Sequence, residues 1–250
     1  MNKIDSFYLK PVSKEEAEPH KLDIKHYLTY YSSNYEDKAM KKEMLKLWPY
    51  ATALFPLRKN SAAIYRGLSY SQKHIEAYIS LLIKLLSKGF ITSNEFRSWT
   101  LDKAVAEAFA YHDPHTIQGH NTMNYVGGCT LKANVKGEHV IDMDYAGASD
   151  YGEDEILVPP GTYQCSVLNA IVFSVKDSAL SKPFKQISFE DMHVLSYKQP
   201  LMARHCATVG IFIEELSKSD FLKVLLSLQK DRTKLKCITL SYNQYAYKYL

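Results

Sequence analysis

The segment Tyr151-Gly152-Glu153-Asp154-Glu155-Ile156-Leu157-Val158-Pro159-Pro160-Gly161-Thr162-Tyr163 constrains the fold more than any other stretch of the chain. Ile156, Leu157 and Val158 form a short apolar run that reads as a buried strand. Pro159 and Pro160 cannot donate to a ladder, so with Gly161 they force a turn. The spacing predicts a hairpin in which Thr162 to Val167 return as a second strand. Glu153 and Glu155 stand two apart at the mouth of the first strand, where alternation predicts that they face the same side. Carboxylates that close repel and raise each other's proton affinity, a cost that a structural strand avoids by interposing a lysine. A working site accounts for the pair, and a solvated acidic strand end is the structural alternative. Tyr145 to Gly152 is expected to loop in front of it.

Two upstream segments bear on that choice. Ala63-Ile64-Tyr65-Arg66-Gly67-Leu68 places an arginine at the end of an apolar run, suited to a phosphate. Gly67 lets another backbone or a ligand come close. In Phe96-Arg97-Ser98-Trp99-Thr100, a strand-like segment, Ser98 and Thr100 share one face, and Thr100 is expected to cap the helix that follows. Hydroxyls there can orient a carboxylate.

Taken in order, an arginine after an aromatic, Phe-x-Ser-x-Thr, and Glu-x-Glu ahead of an apolar strand resemble the arginine-serine-glutamate class of mono-ADP-ribosyltransferases. The resemblance covers roughly Ala62 to Val175. The compact length and Tyr65-Arg66-Gly67-Leu68 look most like the small enzymes that tailed bacteriophages use on host proteins. The resemblance implies an NAD-binding glycosyltransferase with NAD as co-substrate and no metal, and leaves open a role as phage effector, toxin or defence component. Glu155 would hold the ribose 2′-hydroxyl and stabilise positive charge on the sugar, and Ser98 would hydrogen-bond Glu155. Arg66 would bind the pyrophosphate, with Gly67 and Thr100 beside the dinucleotide. Glu153 would meet the nucleophile, and a glutamate there accompanies arginine as acceptor. Tyr111 or Tyr125 would stack on the nicotinamide, a mobile polar loop being the alternative for both. The family's serine motif is usually Ser-Thr-Ser, whereas here a large aromatic, Trp99, takes the centre. The acceptor implied is an arginine on a host or target protein. RNA or DNA is the alternative acceptor, and a degenerate module that binds NAD or a partner without turnover is a third reading.

At 250 residues the chain can bury a full core, and its 46% hydrophobic and 23% charged composition is that of a globular protein. Its net charge of +4 is spread along the chain without a dense basic block, so composition alone does not indicate nucleic-acid binding. The N-terminal residues lack an apolar signal core and no stretch is long enough to span a bilayer, which predicts a cytoplasmic site of action without a membrane. Cys129, Cys165, Cys206 and Cys237 are widely separated and are expected to be free thiols. His112, His115 and His120 lie near Asp113 at a spacing that fits no established zinc pattern, and solvated loop histidines are the expectation.

Three regions are expected: an N-terminal arm and covering helices over 1–60, the catalytic core over 61–200, and a βαβ-like appendage with a tyrosine-rich tail over 201–250. Met1 to Pro19 reads as a loosely held arm. Leu22 to Trp48 reads as helical, broken at Ser32-Ser33-Asn34 and ended by Pro49. A helix from Ser71 to Ser87 buries Ile75, Ile79, Leu82, Ile83 and Leu86 and stops at Gly89. After the serine motif a shorter helix presents Val105, Ala108 and Phe109 on one face, then a long loop runs from Tyr111 to near Tyr125. Strands are predicted on either side of Gly137, through Ser166 to Val175 and through His193 to Tyr197, and strands after helices without regular alternation indicate an α+β fold. The family resemblance adds a core of two packed β-sheets with the NAD cleft between them. Beyond it, Ala207 to Ile213 and Leu235 to Tyr242 read as strands around a helix from Asp220 to Gln229. Tyr245, Tyr247 and Tyr249 on one face of the tail are either cover for the core or a partner-binding or RNA-stacking edge.

Overall fold

The computed structural model describes residues 3–4, 6–33, 38–71, 74–111, 122–149, 154–175, 178, 181, 191–198, 212–231 and 238–241. Its strands are β1 (Lys3–Ile4), β2 (Ser61–Ser71), β3 (Phe90–Ser93), β4 (Arg97–Thr100), β5 (Thr122–Lys136), β6 (Ile141–Asp142), β7 (Glu155–Val158), β8 (Gly161–Val175), β9 (Met192–Tyr197), β10 (Phe212–Leu216) and β11 (Ile238–Ser241). Its helices are α1 (Lys14–Ala17), α2 (Lys21–Ser33), α3 (Lys38–Leu54), α4 (Ile75–Lys88), α5 (Lys103–Tyr111), α6 (Met143–Ala146) and α7 (Lys218–Lys230). The chain is α+β, with antiparallel pairing throughout the described registers except for the parallel pair β9–β10. Two compact units interleave along it, Met1–Arg66 with Phe90–Val105 and Lys132–Cys165, and Gly67–Gly89 with Ala106–Leu131 and Ser166–Leu250. The division at 60 and 200 therefore does not coincide with them.

In the first unit the N-terminal stretch is built in, contrary to the loose arm expected. Lys3 and Ile4 pair with Thr162 and Gly161. Ser13 and Glu16 form a capping box, with Ser13 Oγ accepting from the Glu16 N–H at 3.2 Å and Glu16 Oε2 accepting from the Ser13 N–H at 2.9 Å. Ile24, Leu28, Met44, Trp48, Phe96 and Leu157 belong to one core, in which Trp48 stacks on Phe96 with ring centres 4.9 Å apart. Pro49 does not end α3, which continues to Leu54. An interior proline costs roughly 3 kcal/mol. Buried Trp48, Ala51 and Leu54 around it bind the helix to the core, and Thr52 Oγ1 reaches the carbonyls of Trp48 and Pro49 at 3.2 and 3.1 Å.

The predicted hairpin after Glu155 is also corrected. β7 pairs antiparallel with β4 and β6, while the start of β8 pairs with β1 and β3. With partners on both edges of β7, Pro159-Pro160-Gly161 sends the chain to new partners instead of folding it back. The Tyr163 hydroxyl donates to the Pro159 carbonyl and fixes the crossover. At Gly137 the close approach of backbone is severe, since a Cβ there would lie 1.9 Å from the Lys59 carbonyl oxygen.

In the second unit α4 buries Ile75, Tyr78, Ile79, Leu82, Leu85 and Leu86 and stops at Gly89, whose φ of 69° is left-handed, as the terminator predicts; it starts at Ile75 rather than at Ser71, which ends β2, and Ile83 is only half-buried. The Tyr78 hydroxyl lies 2.6 Å from the Gly128 carbonyl oxygen and 2.8 Å from that of Ile171. On α5 the buried residues are Ala106, Glu107 and Ala110, and Phe109 is 43% exposed, which corrects the face predicted for this helix. At Gly67 the α5 backbone comes close, since a Cβ there would stand 1.9 Å from the Ala106 carbonyl oxygen, 2.6 Å from the Ala110 nitrogen and 2.9 Å from the Phe109 Cβ. Only a glycine on the strand admits so close a helix. Residues 212–241 do not form a separate appendage among the described pairings: β10 lies parallel to β9, and β11 pairs with β5 through Ile238 opposite Tyr125. β5 begins at Thr122, so Tyr125 belongs to a strand rather than to the preceding loop. The histidines at 112, 115 and 120, Cys206, Cys237 and the tyrosines at 245, 247 and 249 lie outside the described residues.

Candidate active site

β4 and β7 set Ser98 opposite Leu157 and Thr100 opposite Glu155. Alternation then puts Ser98, Thr100, Glu155 and Leu157 on one side, and Arg97, Trp99, Ile156 and Val158 on the other. Ser98 Oγ donates a hydrogen bond to Glu155 Oε1, and both residues are half-buried. The two sites expected to act together are thus in contact although far apart in sequence.

Arg66 approaches from β2. Tyr65 is opposite Thr100, so Tyr65 shares the Glu155 face and Arg66 leaves the strand on the other. Its Nη1 donates to the Ser98 carbonyl oxygen at 2.8 Å. Arg66 therefore braces the strand that carries Ser98. Gly67 is approached by the backbone of α5, the first of the two partners its small size allows.

Thr100 does not cap α5 itself. Its Oγ1 accepts from the Asp102 N–H at 3.0 Å, and Asp102 Oδ1 accepts from the Ala104 N–H at 2.7 Å, so Asp102 is the cap. Trp99 is 3% exposed and faces away from Ser98, so the departure from Ser-Thr-Ser is spent in the core. Its indole Nε1 has no hydrogen-bond partner among the described residues.

β7 begins at Glu155, and Asp154 before it has a left-handed φ of 48°. The alternation rule therefore stops short of Glu153, which lies outside the described residues. The Asp154 carbonyl accepts from the Leu101 N–H at 3.1 Å, tying the turn to the end of β4. Tyr111 closes α5 and Tyr125 lies in β5; their side chains lie outside the described residues.

Sequence reasoning passed over Glu107, which is buried and accepts from Asn169 Nδ2 at 2.8 Å in the second unit. The signal was the pair of alanines at 106 and 110 flanking it, which marks the tightly packed side of the helix. Burial pushes the thiols of Cys129 and Cys165 up to about 12, so neither is a nucleophile at neutral pH. Among the described residues no group of three or more His, Cys, Asp and Glu side chains is placed to hold a metal ion. No described helix is long and apolar enough to cross a membrane. The arrangement offers a half-buried carboxylate with one oxygen fixed by a serine, carried on paired strands. Such a group can accept from a substrate hydroxyl and stabilise positive charge that develops beside it.

Compared with known proteins, the chain matches no family model, no curated protein and no solved structure.

Proposed function

We propose that the chain is a mono-ADP-ribosyltransferase of the arginine-serine-glutamate class, which transfers ADP-ribose from NAD to an arginine of a target protein and releases nicotinamide. The observation that carries this reading is the hydrogen bond from Ser98 to Glu155, with Arg66 bonded to the Ser98 backbone. Ser98 thus meets the Glu155 carboxylate through its hydroxyl and meets Arg66 through its backbone carbonyl, which supports reading the three segments together. A core of two packed sheets belongs to the same proposal. The described strands are linked into one mixed sheet, in which β8 pairs with β1 and β3 near its start and with β9 near its end.

The donor set fits NAD, since a fixed carboxylate matches a ribose hydroxyl and a guanidinium matches a pyrophosphate. NAD supplies a ribose–nicotinamide bond whose cleavage leaves positive charge on the sugar. Glu155 holds the 2′-hydroxyl and places a negative charge beside that sugar. Ser98 keeps the Glu155 carboxylate in one rotamer, so the charge is preorganised. Arg66 secures Ser98 and is assigned the pyrophosphate, with Thr100 alongside. Glu153 is assigned to the acceptor, because a guanidinium with a pKa above about 12 needs a carboxylate to orient it and take its proton. A nucleic-acid acceptor is the second reading, favoured by the basic, aromatic surface described below.

Incubation with labelled NAD and a bacterial lysate, divided between protease and ribonuclease treatment, tests the reading. Label that protease removes and ribonuclease leaves is the expected result. Label lost to ribonuclease alone would transfer the acceptor to RNA. The absence of both labelling and nicotinamide release would overturn the proposal.

A further inference from the structure

Tyr145 is 39% exposed on the first unit, and the Arg58 guanidinium lies 3.7 Å from its ring centre. The Phe55 ring meets it edge-on at 5.9 Å, and Lys25 Nζ stands 5.8 Å above Phe55. The Tyr145 hydroxyl is held below its ordinary pKa by the hydrogen bond and charge of Arg58, with Lys14 and Lys21 adding to the positive field. Arg58 also lines an open cavity of about 640 Å³ into which Lys59 and Lys136 project the same sign. Cations thus continue from Lys14 and Lys25, past the ring, into a groove.

Acids offset part of this charge. Glu18 pairs with Lys21 at 2.6 Å, and Glu138 pairs with Lys136 at 3.6 Å. Asp142 turns in to accept from the Tyr145 N–H at 2.9 Å, and exposed Asp144 opposes the field beside the ring. Exposed Glu15, Glu16 and Asp23 on the same helices offset more of it, and the exposed cations beside the ring and the groove are Lys14, Lys25, Arg58 and Lys59.

We propose that this surface binds single-stranded nucleic acid, its cations lying along the phosphates and the Tyr145 ring stacking on a base. A partly exposed aromatic ring, covered on one face by Arg58 and set among cations, suits a strand that presents both bases and phosphates. An acidic peptide offers the charge without the base, and a duplex hides its base faces. The inference is independent of the transferase reading, because the surface contains none of Arg66, Ser98 and Glu155 and is assayed without NAD.

Fluorescence anisotropy with labelled oligo(U) and oligo(dT) of about 15 nucleotides tests it, with poly-glutamate as the competing polyanion. Binding should weaken steeply as salt rises, because phosphate contacts release counterions. Tyr145→Ala should weaken it roughly 5- to 100-fold and Tyr145→Phe should restore it, since the ring and not the hydroxyl stacks. Exposed Lys59→Glu, which spares the aromatic contacts, should weaken it about tenfold and flatten the salt dependence. Circular dichroism establishes that each variant is folded. No binding by the folded wild-type protein at low salt would overturn the proposal, as would equal affinity for poly-glutamate or unchanged affinity in both Tyr145→Ala and Lys59→Glu.

Discussion

Glu155 owes its orientation to neighbours on either side of it. Ser98 holds one carboxylate oxygen from across the strand pair, and Asp154 sets the backbone before it in a left-handed turn. A hydrogen bond to a charged group contributes about 1.5–3 kcal/mol. Ser98→Ala is therefore expected to slow nicotinamide release by about 10- to 100-fold while moving the melting temperature little, and steady-state kinetics beside a melting curve checks both. The turn makes a separate prediction. Aspartate tolerates φ 48° better than a β-branched residue does, and glycine tolerates it best. Asp154→Gly should keep turnover within a few-fold of wild type, whereas Asp154→Val should lose about 1–2 kcal/mol of stability and most turnover. Equal behaviour of the two in urea unfolding and in kinetics would remove the turn from the account. Arg66→Ala examines the pyrophosphate assignment: calorimetry should show weaker NAD binding, and unchanged affinity in a folded variant would leave Arg66 with its contact to Ser98 alone.

At the scale of elements, two positions store opposing effects. Gly67→Ala would drive a methyl group into the Ala106 carbonyl, 1.9 Å away, and should cost about 1–3 kcal/mol, read as a lower urea midpoint. Pro49→Ala should act in the other direction, since it restores an N–H inside α3 and removes a ring from a helix that already continues to Leu54. What was legible in the sequence follows the range of the interactions. α4 and its stop at Gly89 depend on periodicity and a local left-handed turn, so both could be read. Ser98 and Thr100 could be placed on one face because alternation inside a strand is local. The hairpin could not, because Pro159-Pro160-Gly161 ends a strand without naming the next partner, and the partners of β8 lie at Lys3–Ile4 and Phe90–Ser93. Val105, Ala108 and Phe109 were grouped on one face by their spacing, which does not say which face of the helix is buried. The buried face is instead that of Ala106, Glu107 and Ala110, and the close approach of α5 to Gly67, far away in sequence, could not be read locally. The capping box at Ser13 and Glu16 was present in the sequence and went unused behind the polar composition around it.

Across the whole molecule, Cys129 in one unit and Cys165 in the other couple stability to alkaline pH. Burial raises each folded-state thiol pKa from 9.0 to about 12. The unfolded chain loses these protons first, so the contribution is intact below pH 9.0 and is lost as pH rises from there towards 12. Urea midpoints should fall over that window, and replacing both thiols with alanine should flatten the fall. The units are interleaved along the sequence, so a central fragment cut at 60 and 200 would divide both of them. The central claim is that a preorganised Glu155 carboxylate cleaves NAD. Nicotinamide release by the purified full chain, wild type against Glu155→Gln, tests it most directly. The account predicts release by the wild type and a loss of roughly 100- to 1000-fold in a variant with an unchanged melting temperature. Wild-type turnover by folded Glu155→Gln would contradict it.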